Sequence, residues 1–258
     1  MWQVWLVGLG AVVVLMIATW LASVVRRDAS LVDRVWGLAF IVAAWTYAVA
    51  AGVWTPRTWL VLVLVTVWGL RLSIYVTWRN WGHGEDPRYV RMRRRRPSTF
   101  AARSLATVFL LQAVVAWVVS LPLLAVASET GAELVWLDAA GIVLWATGFV
   151  FEAGGDAQLS RFLADPSNRG KVMDRGLWRY TRHPNYFGDT VVWWSYLVLA
   201  LPTGAWWAVV GPLLMTVLIV KVSGVALTDS NMGSSKREGY DAYVRRTNAF
   251  FPGPRKRA

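Results

Sequence analysis

The sequence predicts an all-α, polytopic membrane protein of about seven transmembrane helices. Three observations point there. Hydrophobic residues fill 56% of its 258 positions, where soluble domains hold about 45–50%. Several apolar runs reach about 20 residues, the length that carries a helix across the hydrocarbon core. Lys and Arg gather in alternate connections between those runs.

In order, the expected spans are about 2–25, 35–54, 58–78, 104–127, 134–155, 187–203 and 205–228. The first lacks a basic n-region and an A-x-A-like cleavage site, so it reads as a retained helix and not as a signal peptide. The sixth is short and starts in polar sequence. Every one of the 27 Lys and Arg except Arg57, Arg71 and Lys221 follows helix 1, 3, 5 or 7. The positive-inside bias then sets the N-terminus outside and the C-terminus in the cytoplasm. One membrane domain, 1–258, accounts for the chain, with an extramembrane loop at about 79–103 and a polar tail from about 229.

The charge of +12 is therefore mostly topology. "RMRRRRP" at 91–97 reads as a lipid-headgroup and orientation signal. No aromatic-and-basic recognition module surrounds it, which argues against nucleic acid. Cysteine is absent, so disulfides and thiolate chemistry are excluded. His83 and His183 are far apart and outside any HExxH pattern, so no metal site is expected. "GLGAVVV" at 8–14 follows no strand, and "GHGEDP" at 82–87 lacks a third glycine. Neither supports a Rossmann site.

Ionisable residues inside spans usually face a bundle interior or a wet cavity. Arg71, Glu152, Asp189 and Lys221 stand in or at the edge of apolar runs, and Asp33 lies just before helix 2. A cavity open to the cytoplasm would accommodate all five. Glu152 and Asp156 are i, i+4 and share a helix face. Asn185 and Asp189 do the same if helix 6 begins near Pro184, a residue suited to a first turn. Asn185 would then sit where free N–H groups favour an anion. Arg175, Arg179 and Arg182 come just before it, which makes a receptor for a phosphorylated or carboxylated ligand.

The stretch "GKVMDRGLWRYTRHPNYFGD" at 170–189 resembles the signature of the steroid 5α-reductase family and its sterol-reductase relatives. "EAGGDAQLSRF", "VDRVWG", "WGLRLSIYVTWRNWGHGEDPRYVRMR" and "SGVALTDSNMGSSKREGYDAYVRRTNAFFPG" are similar to a bacterial branch of that superfamily, over about 30–253. The resemblance implies a multi-pass protein of the bacterial inner membrane whose cofactor site faces the cytoplasm. It implies NADPH-dependent reduction of a carbon–carbon double bond in a steroid or other lipid. Lys171, Arg175, Arg179 and Arg182 would contact the cofactor's phosphates. Glu152, Asp156, Asn185 and Asp189 match positions that hold its polar parts, and Tyr180, His183 and Tyr186 lie in the same motif. The family pairs a helix-3 tyrosine with a helix-2 acid to polarise the substrate carbonyl. Here Tyr75 lies one residue from that position, which holds Val76, and Asp33 is the nearest acid; Glu85 and Asp86 are further candidates. "GVALTDSNM" replaces the family's last-helix Arg, His and Tyr.

Two other readings stay open. Isoprenylcysteine carboxyl methyltransferases and phospholipid N-methyltransferases, which use S-adenosylmethionine, have a similar R-H-P-x-Y turn. Asn185 after Pro184 looks like the reductases, and Thr228-Asp229-Ser230 stands where the methyltransferases tend to carry two Glu. The third reading is a non-catalytic, lipid-binding membrane subunit.

Overall fold

The computed structural model describes residues 1–131, 133–225, 228–229 and 239–256. It is all-helical, with no strand among the described residues beyond one isolated bridge between Thr181 and Asn248. Among the described residues, four helices are long and apolar enough to cross a membrane: Trp2–Arg26, Pro56–Arg79, Phe100–Val119 and Trp136–Ala164. Trp36–Ala51 and Trp206–Val222 are shorter apolar helices. This is the architecture of a polytopic membrane protein. Lys236, Arg237 and Arg257, counted above among the cytoplasmic cations, lie outside the described residues.

Contacts divide the chain into two compact units. One is Met1–Val135 with Ala200–Val210, the other Trp136–Leu199 with Gly211–Ala258.

In the first unit, α1 (Trp2–Arg26) ends at Arg27, whose left-handed backbone (φ 52) turns its N–H back to the helix. A four-residue turn, α2 (Leu31–Arg34), leads into α3 (Trp36–Ala51). Thr55 caps α4 (Pro56–Arg79) by accepting from the Thr58 N–H, with Pro56 in the first turn. Asp86 caps α5 (Pro87–Arg95) in the same way. Its last turn holds Arg93, Arg94 and Arg95, where the helix dipole favours cations. The expected fourth span, 104–127, is broken in two. It runs through α6 (Phe100–Ser104), a π-helical turn and α7 (Leu111–Val119), then bends at Ser120 into α8 (Leu121–Ala127). Pro122 lies in α8's first turn; it cannot donate to the preceding helix, which ends there.

α3 packs against both α1 and α4. A Cβ at Gly37 would stand 2.3 Å from the Gly69 carbonyl oxygen, so the two backbones touch. Gly8 lies flat on the Tyr47 ring, where a Cβ would come within 2.0 Å. In the first glycine pattern, "GLGAVVV", Gly8 thus serves helix packing, and Gly82 and Gly84 of the second take φ 76 and 73 in a turn. Tyr47 OH and Ser120 Oγ, both fully buried, share a hydrogen bond of 2.8 Å.

The second unit is built on α9 (Trp136–Ala164) and α10 (Pro184–Ala200). α9 runs nine residues past the expected end at 155, because "DAQLSRFLA" continues good helix-forming sequence. α10 starts at Pro184, three residues before the span expected at 187–203. Gly141, Gly148 and Gly155 recur every seventh residue and face α10. Their virtual Cβ atoms meet Leu199, Gly188 with Val192, and Pro184 with Asn185, which makes the pair antiparallel. In lipid, burial of apolar surface drives helix association weakly, and close backbone approach through small residues takes over. α11 (Val210–Val217), a π-helical stretch over Leu218–Ser223 and α12 (Tyr240–Arg246) follow.

Candidate functional site

The Arg175–Asp189 segment lies between α9 and the C-terminal tail. Trp178, 8% exposed, donates its indole N–H to the Gly155 carbonyl at 3.0 Å. The Leu177 N–H reaches Gln158 Oε1 at 2.9 Å. From the other side, Tyr243 OH donates to the Trp178 carbonyl at 2.7 Å. The Arg182 N–H bonds the Asn248 carbonyl, and the Gly253 N–H bonds the Tyr180 carbonyl. Thr181, fully buried, donates to the Phe250 carbonyl at 2.8 Å. Arg246 and Arg255 both bond Asp174. A loop so rich in polar backbone is kept in place because each of these groups has a partner.

Two polar centres follow at the start of α10. In the first, Asn185 Nδ2 donates to Asp156 Oδ1 at 3.0 Å. Asp156 is 4% exposed and Glu152, one turn earlier on α9, is 2% exposed. Both face inward as their i, i+4 spacing requires. Gly188 sits against Glu152, a Cβ there being only 2.3 Å from the Glu152 backbone nitrogen. Asn185 Oδ1 also accepts the Tyr186 N–H at 3.0 Å.

The second centre is Asp229. Its Oδ2 takes Arg182 Nη2 at 2.7 Å and its Oδ1 takes His183 Nε2 at 2.9 Å. Tyr240 OH donates to it at 3.4 Å. Tyr186 stacks on His183 with centroids 5.6 Å apart and meets Thr228 Oγ1 through its hydroxyl at 3.3 Å. Burial opposes the charged form of Asp229, but the His183 and Arg182 contacts outweigh it and hold the carboxyl below its ordinary value. Asp229 was read in the sequence only as a departure from the methyltransferase pattern. Acidic sequence soon after an apolar helix, facing an Arg-His pair, was the available signal.

The remaining sequence candidates fall as follows. Lys171, Arg175, Arg179 and Tyr180 are exposed. Asp189 is half-buried one turn into α10 from Asn185. Arg182 pairs with Asp229. Its Nε is buried and has no hydrogen-bond partner among the described residues, as is true of Thr190 Oγ1. Exposed cations ahead of a helix's first turn favour an anion at that end.

In the first unit, Asp33 pairs with Arg88 Nη2 at 2.9 Å and accepts Tyr89 OH at 3.0 Å. Burial raises its pKa above the ordinary value against both partners. The phenol bonded to Asp33 is thus Tyr89, 6% exposed. Tyr75 is half-buried on α4 and lies between Arg71 and Arg79, whose guanidinium carbons stand 5.2 and 5.6 Å from its ring centroid. Glu85 forks onto Arg93 at 2.7 and 3.0 Å and accepts the Ala29 N–H. Burial disfavours its charge, but these donors prevail and lower its pKa. Asp86 caps α5 and bonds Arg88, so its pKa is lowered in the same way, against burial.

The fold and this site define an integral-membrane protein with a polar, helix-terminal centre. The chain belongs to the family described as "Protein of unknown function (DUF1295)", which matches residues 19–247 and is steroid 5α-reductase-like in general. It is similar to an uncharacterised protein of Schizosaccharomyces pombe, at 26% identity over 269 residues that cover 90% of this chain and 75% of the other. No solved structure matches it.

Proposed function

We propose that the protein is an NADPH-dependent reductase of a carbon–carbon double bond in a steroid or other membrane lipid, of the bacterial branch its motifs resemble. The carrying observation is the Asn185–Asp156 hydrogen bond at the start of α10. It holds an amide beside the first turn, where backbone N–H groups and the dipole favour phosphate. Arg175, Arg179 and Lys171 add exposed positive charge before that turn, facing the cytoplasm in the orientation set by the cations. Asp156 fixes the Asn185 amide, and the Asp229 cluster fixes His183 and Arg182 behind it. Bound NADPH would supply a hydride to the conjugated alkene. Asp33, whose pKa burial raises against the opposing pull of Arg88 and Tyr89, is the acid candidate for polarising a substrate carbonyl. Tyr75 is the other phenol candidate.

The test is the melting temperature of detergent-purified protein titrated with NADPH, NADH and S-adenosylmethionine. A ligand that binds only the folded state raises stability by mass action, about 2.7 kcal/mol at a hundred times its dissociation constant. NADPH should stabilise wild type, and Arg179→Gln, at an exposed position, should need more of it without loss of basal stability. Stabilisation by S-adenosylmethionine alone would turn the reading to methyl transfer. A shift with none of them would favour the non-catalytic subunit.

A further inference from the structure

A separate cavity opens in the first unit where α1 ends and α6 begins. It has a volume of about 290 Å³, far above the ~15 Å³ that a single water needs. Arg27, Arg93, Ser23, Ser104 and the Phe100 ring line it. We propose that it binds the phosphate headgroup of an anionic membrane phospholipid, whose acyl chains lie on the exposed apolar face of α1.

Four observations carry this. The cavity is cationic and its cations are placed. Arg93 lies over the Phe100 ring, 4.4 Å from the centroid, and is forked onto Glu85. Arg27 is the one non-glycine residue with positive φ among the described residues, so the helix end sets the direction in which it leaves the chain. Arg26, Arg94, Arg95, Arg96 and Arg103 are exposed close by in sequence, while Asp28 is taken by Arg34 and Glu85 by Arg93.

Second, the cavity has the right depth. Trp2–Arg26 and Phe100–Val119 are both long and apolar enough to cross a membrane, and the cavity sits at the end of one and the start of the other. Headgroups lie at such ends, and basic pockets between helices there bind anionic lipid. Third, the two ends are fastened. Trp20 donates its indole N–H to the Ala101 carbonyl at 2.9 Å, so the cavity has a wall that does not depend on a ligand. Ser23 and Ser104 are small, buried residues bonded to their own helices, which leaves room between the cations.

Fourth, the flanking surface is apolar. Leu21, Val24 and Val25 of α1 are 54%, 40% and 83% exposed, and Leu111 and Val114 of α7 are 56% and 46% exposed. A free anion would gain nothing from these faces. A phospholipid would place its chains there and its phosphate against Arg27, with the edge of Arg93 turned away from Glu85 beside it; a guanidinium matches phosphate oxygens well.

Detergent-purified full-length protein would be melted with phosphatidylglycerol, phosphatidylcholine or inorganic phosphate. Wild type, Arg27→Gln, Arg95→Gln and Ala101→Leu would be compared. Phosphatidylglycerol alone should raise the melting temperature, saturably. Arg27→Gln should weaken half-saturation at least tenfold, while Arg95→Gln, with the same charge change outside the cavity, should not. Ala101→Leu obstructs the cavity without altering charge at an exposed position, and should also abolish the shift. Equal loss in Arg27→Gln and Arg95→Gln would overturn the proposal in favour of diffuse surface attraction. A shift with inorganic phosphate alone would make this a site for a soluble anion. No shift in wild type, or an undiminished one in Ala101→Leu, would remove the site.

Discussion

Asn185 donates from its amide to Asp156 Oδ1 at 3.0 Å, across the antiparallel contact of α10 with α9. Removing one partner of a buried hydrogen bond costs about 1–3 kcal/mol. Asn185→Ala should therefore lower stability by about that amount. Asn185→Asp should cost more at pH 7, because the introduced carboxylate cannot donate to Asp156 Oδ1 as the amide does, and it should recover as the pH falls and the introduced group takes up a proton. Melting curves of the two variants at pH 7 and pH 5 check this. Equal stability of the two at pH 7 would count against the pair.

Gly188 leaves no space for a methyl group. Its Cβ would meet the Glu152 nitrogen at 2.3 Å and the Gly148 oxygen at 2.5 Å, both backbone atoms. Gly188→Ala should destabilise by about 1–3 kcal/mol or more. Gly10→Ala, with nothing within 4 Å of the added carbon, should stay within about 0.5 kcal/mol of wild type. Fluorescence-detected size-exclusion after heating separates them.

Thr181→Val removes a buried donor from the Phe250 carbonyl and leaves the rest of the side chain's volume. Stability should fall by about 1–3 kcal/mol. Hydrogen exchange should quicken at residues 248–253 and at Arg182, whose N–H bonds Asn248. Unchanged exchange there would mean that the tail is held by its other contacts.

Asp229 sets a pH dependence. Its folded-state pKa lies below the ordinary 3.8. Its stabilisation is therefore complete above that ordinary value and is lost as the pH falls through the depressed one. The melting-temperature gap between wild type and Asp229→Asn should be widest near neutral pH and close as the pH drops below about 4. A gap unchanged at pH 3 would contradict the role given to His183 and Arg182.

How far the sequence spoke for itself can be judged residue by residue. Apolar length and the alternation of cations were readable because the membrane imposes both. The ends of helices were harder. Nothing in a hydropathy run marks where α9 leaves lipid, so its extension to Ala164 was missed; the break after Ser120 was missed too, although Pro122 was there to signal it. The Glu152–Asp156 face was readable from spacing alone, and proline's preference for a first turn pointed to Pro184 as the helix start although the apolar run suggested 187. The seven-residue recurrence of Gly141, Gly148 and Gly155 was equally readable and went unread. Asp229 and Tyr89 were not accessible in that way. Each meets its partner across a long stretch of chain, His183 at 46 positions and Asp33 at 56, and only tertiary structure decides which acid finds which base.

The partners of Asp174 lie 72 and 81 positions further along, at Arg246 and Arg255. At 5–20 residues per second, the ribosome delivers them on the order of seconds after the motif has been made. During that interval α9 and α10 can already have entered the bilayer. The Arg175–Pro184 segment is then waiting, with Thr181 and the Tyr180 carbonyl still bonded to water. Completion of this centre is therefore one of the last events in biogenesis, and a chain stalled before residue 240 would be inserted yet unfinished.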